Sequence, residues 1–147
     1  SAPETATPAP IVWSEELLAT TEEIQSLLDE ATPEEVVFID TREEREYEGE
    51  TPYGEQRGGH LPGAVHVYFK TLLTPDGALR PEEELLDILS EQGITRDRRI
   101  VAYCTGGIRS AWLVVVLRAL GFENVENYAG SMWEWSAGEE SSHPLEQ

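Results

Sequence analysis

Residues 99–121 read RIVAYCTGGIRSAWLVVVLRALG. The opening RIVAYC is a short apolar run that suits a strand buried on both faces. From Ile108 onward the residues are strongly apolar until Gly121, as in a buried helix closed by a glycine just past its end. Between strand and helix lies CTGGIR, in which four residues separate Cys104, the chain's only cysteine, from Arg109. A strand that hands over to a helix through a glycine-bearing turn is the repeating unit of a parallel α/β sheet.

The same alternation extends outward. VVFID (36–40) is a short apolar run ending in an acid, AVHV (64–67) a brief strand, and NVENYA (124–129) a last strand. IVWSEELLATTEEIQSLLDE (11–30) reads as a short extended piece and then a helix. Its N-cap is Ser14, and Leu17, Leu18, Ile24, Leu27 and Leu28 form its apolar face. RPEEELLDILSEQG (80–93) is a helix with Pro81 near its start and Gly93 just past its end. SMWEWSA (131–137) makes a short helical turn, and TREEREYEGETPYGEQRGG (41–59) is mostly loop. Strands followed by helices imply a central parallel sheet covered on both faces, with ligands beyond the carboxyl ends of the strands. Asp40 and Cys104 both stand at such ends, on one edge.

The chain has 147 residues, the size of one domain with a substantial core. SAPETATPAP (1–10) has the composition of an extended tail or linker, as would follow a removed signal peptide or an earlier domain. Residues 11–140 are expected to form the domain and 141–147 a C-terminal tail. No apolar run approaches the ~20 residues of a membrane span, so a soluble chain is expected, cytoplasmic or periplasmic. Twenty-nine acids against 10 bases give a formal net charge of −19, and Lys70 is the only lysine. That argues against a nucleic-acid surface, which needs clustered cations. Any anionic substrate must be met by a strong local positive site. One cysteine excludes an internal disulfide, and three histidines without ligand spacing make no metal site. No cofactor is expected.

The thiol of Cys104 is aimed near the N-terminus of a helix, where free amides and the helix dipole favour negative charge. Gly106 and Gly107 let the backbone curl so that successive N–H groups point inward. Arg109 adds a cation suited to oxyanions. All three effects lower a thiol's pKa, and the thiolate is the nucleophile. The bland alternative is a buried cysteine acting as a small hydrophobe; strand, Cys, Gly-Gly, Arg and helix together speak against it. A loop with one more residue between Cys and Arg would cradle a tetrahedral phosphate. The tighter loop here fits a single extra sulfur, a persulfide, and favours sulfur transfer over phosphate-ester hydrolysis.

Four segments together resemble the rhodanese, or thiosulfate sulfurtransferase, superfamily. FIDTREEREYEGE (38–50) resembles its strand ending in Asp-x-Arg followed by an acid and aromatic pair, here Glu46-Tyr47. RGGHLPGAVHV (57–67) resembles its Gly-His-Ile-Pro-Gly-Ala signature, and YCTGGIRSA (103–111) its six-residue active-site loop. YAGSMWEWSA (128–137) resembles the closing Asp-Gly-Ser-Trp-x-Glu-Trp signature, with Ala129 for the Asp and Met132 inserted. The insertion GETPYGEQRGG (49–59) and the Trp-Glu-Trp are most like the C-terminal, catalytic domain of two-domain thiosulfate and mercaptopyruvate sulfurtransferases. The resemblance implies a rhodanese-like three-layer α/β domain, with a central, mostly parallel sheet of about five strands flanked by helices.

The resemblance also implies a transferase of the thiosulfate sulfurtransferase type. Cys104 would take the outer sulfur of thiosulfate, release sulfite, and pass the sulfur as a persulfide to cyanide or a thiol. Thr105, Gly106, Gly107, Ile108 and Arg109 would form the binding loop, with Arg109 holding the anionic donor. A thioredoxin-like or sulfur-carrier protein is the kind of partner implied. Some members carry a basic residue where Gly106 stands, and two-domain members often have an arginine where Glu46 stands. The mercaptopyruvate pattern Cys-Gly-x-Gly-Val-Thr is absent. Three alternatives stay open: a non-enzymatic relay or interaction module, a phosphatase or arsenate reductase of the same fold, and a tRNA-modifying rhodanese, against which the acidic charge counts.

Asp40 and Arg42 read as a structural pair supporting the site's edge. Arg57 lies in a loop that could reach the site mouth, though a solvated role fits it slightly better. His60 positions the turn before Leu-Pro-Gly, and His66 lies in or beside a strand. Trp133 and Trp135 are read as core rather than pocket mouth, and Trp112 as core.

Overall fold

The computed structural model describes residues 17–147. Its elements run α1 (Thr21–Glu30), β1 (Val36–Asp40), α2 (Glu44–Tyr47), β2 (Val65–His66), a 3₁₀ turn (Phe69–Leu72), α3 (Glu82–Glu91), β3 (Arg99–Tyr103), α4 (Ile108–Ala119), β4 (Val125–Asn127) and α5 (Ser131–Trp135). The strands form one sheet in the order β2-β1-β3-β4, with every pair parallel.

All five residues of β1 are buried, which is why Val36 to Ile39 run apolar without alternation before the strand ends at Asp40. Successive side chains leave opposite faces of the sheet. Val37, Ile39, Ile100 and Ala102 pack with Leu85 and Leu89 of α3 and Leu113, Val114 and Leu117 of α4. Val36, Phe38, Val101 and Tyr103 pack with Ile24 of α1 and Met132 and Trp135 of α5. The result is three layers, helices on both faces of the sheet, as expected.

Among the described residues the sheet has four strands, against about five expected. Leu18 makes an isolated parallel bridge to Asn127, and the Ala19 N–H donates to the Asn127 carbonyl at 3.0 Å. The segment thus touches the β4 edge without extending into a strand among the described residues. It stops there because α1 follows directly, starting later than a cap at Ser14 would place it. Thr20 caps α1, its hydroxyl accepting from the Glu23 N–H at 3.2 Å. The helix therefore begins at Thr21, Leu17 and Leu18 precede it, and the expected cap Ser14 and the extended piece before it lie outside the described residues. No helix among the described residues is long and apolar enough to cross a membrane.

Residues 141–147, expected as a tail, lie against the body. His60 and Glu146 exchange backbone hydrogen bonds at 2.8 Å in each direction, and Trp135 Nε1 donates to the Pro144 carbonyl at 3.0 Å. Trp112 is only partly buried; its ring meets Phe69 edge-on at 6.0 Å.

Candidate active site

Strand pairing decides where the site forms. Asp40 is opposite Tyr103, so the chain leaves β1 and β3 side by side, and Cys104 follows at once. The Thr41 N–H donates to the Tyr103 carbonyl at 3.1 Å. The Val67 N–H donates to the Asp40 carbonyl at 2.9 Å and the Phe69 N–H to the Thr41 carbonyl at 3.2 Å. These bonds bring the 3₁₀ turn to the same carboxyl edge.

The loop 104–109 is held from behind by the start of α5. The Ser131 hydroxyl accepts from the Cys104 N–H at 3.0 Å and donates to the Tyr128 carbonyl at 2.6 Å. The Met132 and Trp133 amides donate to the carbonyls of Cys104 and Thr105 at 3.1 and 3.0 Å. Ser131 adopts φ +50°, a left-handed conformation rare for a non-glycine residue. Asn127 Nδ2 donates to the Gly107 carbonyl at 3.1 Å. Gly107 has φ +93°, and a Cβ there would lie 2.6 Å from the Ala129 carbonyl oxygen. Only glycine fits that position.

Cys104 is 1% exposed, yet its sulfur is well supplied with donors. Sγ accepts from the Gly107 N–H at 3.0 Å and from the Ser110 hydroxyl at 3.5 Å. Burial pushes the thiol up. The Ser110 hydroxyl and amide, the Gly107 amide and the Arg109 charge outweigh it, so the thiol sits below its ordinary value. The amides of Thr105, Gly106, Ile108 and Arg109 donate to no protein acceptor among the described residues. They are free donors at the N-terminus of a 12-residue helix.

Arg109 is differently engaged. Its Nη1 donates to Glu46 Oε2 at 2.9 Å and its Nη2 to Glu46 Oε1 at 3.1 Å. Nη2 also donates to the Thr105 hydroxyl at 2.7 Å, which in turn donates to Glu46 Oε1 at 2.7 Å. Glu46 is wholly buried, and the Glu43 N–H donates to its Oε2 at 3.0 Å. Burial pushes the Glu46 carboxyl up, but Arg109, Thr105 and the Glu43 amide together hold it below the usual carboxylate range. Arg109 thus braces both ends of its own loop to α2. In the sequence Glu46 shows itself as half of an acid and aromatic pair with Tyr47 and as an acid where two-domain sulfurtransferases often have an arginine; neither signal names Arg109 as its partner.

A pocket of ≈ 470 Å³ opens over the thiol. Cys104, Gly106 and Arg109 line it from the loop side, and Tyr53, Phe69, Ile108 and Trp133 give it apolar walls. Trp133, read from sequence as core, is 55% exposed and lines this pocket, while Trp135 is fully buried. The inserted Met132 fills the core position, which turns Trp133 outward. Trp133 Nε1 donates to the Tyr53 carbonyl at 2.9 Å, and a Cβ at Gly106 would lie 2.5 Å from its ring.

The supporting residues stand off the pocket. Arg42 and Asp40 form a fully buried pair with Nη2 to Oδ2 at 2.7 Å, and Arg42 also donates to the Gly59 carbonyl at 2.7 Å. Arg57 donates to the carbonyls of Ser136, Trp135 and His143, clamping the end of α5. The His60 ring stacks on Tyr47 at 3.7 Å and its Nδ1 bonds the Tyr47 carbonyl at 2.8 Å. His66 Nε2 bonds the Arg42 carbonyl at 2.7 Å.

The family model for the rhodanese-like domain matches residues 20–138. The chain belongs to the rhodanese-like family. This rhodanese-like domain is 34% identical over 139 residues to a thiosulfate sulfurtransferase of Pseudomonas aeruginosa, covering 95% of this chain and 49% of that one. It is 38% identical over 106 residues to the sulfur carrier protein TtuD of Thermus thermophilus, covering 67% of this chain and 37% of that protein. The chain therefore spans half or less of the length of these relatives. Among solved structures, the anaerobic ergothioneine biosynthesis enzyme of Chlorobium limicola, in complex with trimethyl histidine, matches with a TM-score of 0.79 at 24% identity. The match covers 95% of this rhodanese-like domain and 34% of that chain, a likeness of fold alone.

Proposed function

We propose that this rhodanese-like domain is a sulfurtransferase that carries sulfane sulfur on Cys104. The supporting observation is the sulfur's setting: Sγ accepts from the Gly107 N–H at 3.0 Å, beside a rim of amides with no protein acceptor among the described residues. Such a rim suits a second, negatively charged sulfur bonded to the first. In the first half-reaction the Cys104 thiolate attacks the outer sulfur of a donor such as thiosulfate. A new S–S bond forms, the donor's S–S bond breaks, and its electron pair leaves with sulfite. In the second, cyanide or a thiol takes the outer sulfur and the thiolate returns. No metal or organic cofactor takes part.

Intact mass after thiosulfate tests the reading. Wild type should gain about one sulfur atom, as covalent thiol catalysis requires, and Cys104→Ser none. A wild type that gains no sulfur from any sulfane donor would sink it.

A second reading is a relay module that passes its persulfide to a thioredoxin-like or sulfur-carrier protein. It is favoured by exposed apolar side chains at the pocket mouth, Ile108 at 83% and Trp133 at 55%, and by the relative named as a sulfur carrier. The likeness to the C-terminal half of two-domain sulfurtransferases belongs to this proposal as well.

A further inference from the structure

Ser110 lies in the first turn of α4 and is wholly buried. Its hydroxyl donates to Cys104 Sγ at 3.5 Å, and Sγ is its only hydrogen-bond partner among the described residues. The Gly107 N–H donates to the same atom at 3.0 Å. Both groups serve the inner sulfur. The amides of Thr105, Gly106, Ile108 and Arg109, which have no protein acceptor among the described residues, are a separate set. When the cysteine is loaded, the negative charge passes from Sγ to the outer sulfur. Sγ becomes a neutral divalent sulfur, a weak acceptor, and the buried Ser110 hydroxyl loses a charged partner. The loaded state therefore carries a cost that the free thiolate does not.

Resting on the sulfurtransferase reading, we propose that Ser110 is a catalytic group of the unloading half-reaction: its hydroxyl stabilises the Sγ thiolate as it leaves and biases the site toward giving its sulfur away. In that half the acceptor's lone pair bonds to the outer sulfur. The bond from the outer sulfur to Sγ breaks, and its electron pair stays on Sγ. Ser110 supplies a hydrogen bond and keeps its proton. The same bond works against loading, because a stabilised thiolate is a weaker nucleophile. The fork of Arg109 does not take this role, since Glu46 holds it at 2.9 and 3.1 Å. The Gly107 amide shares the task but belongs to the backbone, so Ser110 is the group that a substitution removes.

The test compares wild type and Ser110→Ala by rapid-quench intact mass. Loading with thiosulfate is followed at a pH above both thiol midpoints, where each protein is a thiolate, and unloading is followed by adding cyanide to a preloaded sample. Alanine removes one atom and suits a helix, so the variant should fold. Loss of a hydrogen bond to a charged sulfur should shift the balance of free and loaded forms about ten-fold toward the persulfide. Nucleophile and leaving group each feel roughly half of such a change. Unloading should therefore slow about three-fold and loading quicken about three-fold. Comparing both proteins at one pH cancels the ionisation of cyanide. Ser131→Ala is the control: it releases the Cys104 amide without touching Sγ and should not drive the two rates in opposite directions. If Ser110→Ala slows both halves or changes neither, or if the control shows the same split, the leaving-group role is overturned while the sulfurtransferase reading stands. If wild type loads no sulfur from any sulfane donor, both fall.

Discussion

Arg109 and Glu46 are joined by two charge-assisted hydrogen bonds of 2.9 and 3.1 Å, and the carboxylate is wholly buried while the guanidinium keeps a partly exposed edge. The pair is asymmetric. Removing the arginine strands a buried charge, whereas removing the acid leaves a cation that can still reach water. Arg109→Ala should therefore destabilise the fold by about 3 kcal/mol, and Glu46→Gln by less. Denaturant unfolding of both singles and the double should give a positive coupling energy; additive effects would remove the brace assigned to this pair.

The same pair sets an acid limit. The Glu46 carboxyl is held below its ordinary value in the folded chain. Its contribution is fully present above the unfolded carboxylate range near ~4.3 and is lost as pH falls through the folded value. Stability measured from pH 7 downward should decline less steeply in Glu46→Gln than in wild type. Identical acid profiles would show that Glu46 carries no such linkage.

For the thiol, the expectation is a depressed titration. Alkylation of Cys104 by iodoacetamide should follow a midpoint below the free-cysteine value of about 8.5. Ser110→Ala should move that midpoint upward, because the hydroxyl donates to Sγ. As an acid stabilised in its charged form, the thiolate adds stability as pH rises through the folded value toward the unfolded one. A midpoint at or above the free value in wild type would contradict the amide cup's assigned effect.

The two glycines of the loop should respond differently. Gly107→Ala meets both φ +93° and a backbone carbonyl at 2.6 Å, so it should cost about 2 kcal/mol or more and loosen the bond to Sγ. Gly106→Ala meets a half-exposed tryptophan ring at 2.5 Å, which can swing away. Its cost should be near 1 kcal/mol, on the scale of local overpacking, and should vanish in the Trp133→Ala background. Thermal melts of wild type, the two glycine variants, Trp133→Ala and the Gly106→Ala/Trp133→Ala double distinguish a ring that yields from a backbone that cannot.

The three-layer parallel fold was legible because burial on both faces writes apolar runs such as 36–39 and 100–103 directly into the chain. The strand-to-helix turn that carries Cys104 was legible for a related reason, since glycines at such a turn carry a backbone meaning. What escaped were partnerships between distant segments. Glu46 and Arg109 are 63 residues apart, and nothing local reveals that one neutralises the other. Trp133 was misplaced because Met132 shifts which residue of α5 faces the core, a matter of one helical step. The start of α1 was misjudged because a bridge to Asn127 overrides a helix pattern that reads continuously from Leu17.

Cys104 is assigned the role of carrying the sulfur, and every step above depends on that role. The decisive experiment incubates the wild type and Cys104→Ser with a sulfane donor, removes the excess, and records intact mass before and after cyanide. Wild type alone should gain about one sulfur atom, reversed by cyanide with thiocyanate released, as a covalent thiol intermediate demands. A wild type that stays unmodified by every donor, or a serine variant that gains the same mass, would contradict it.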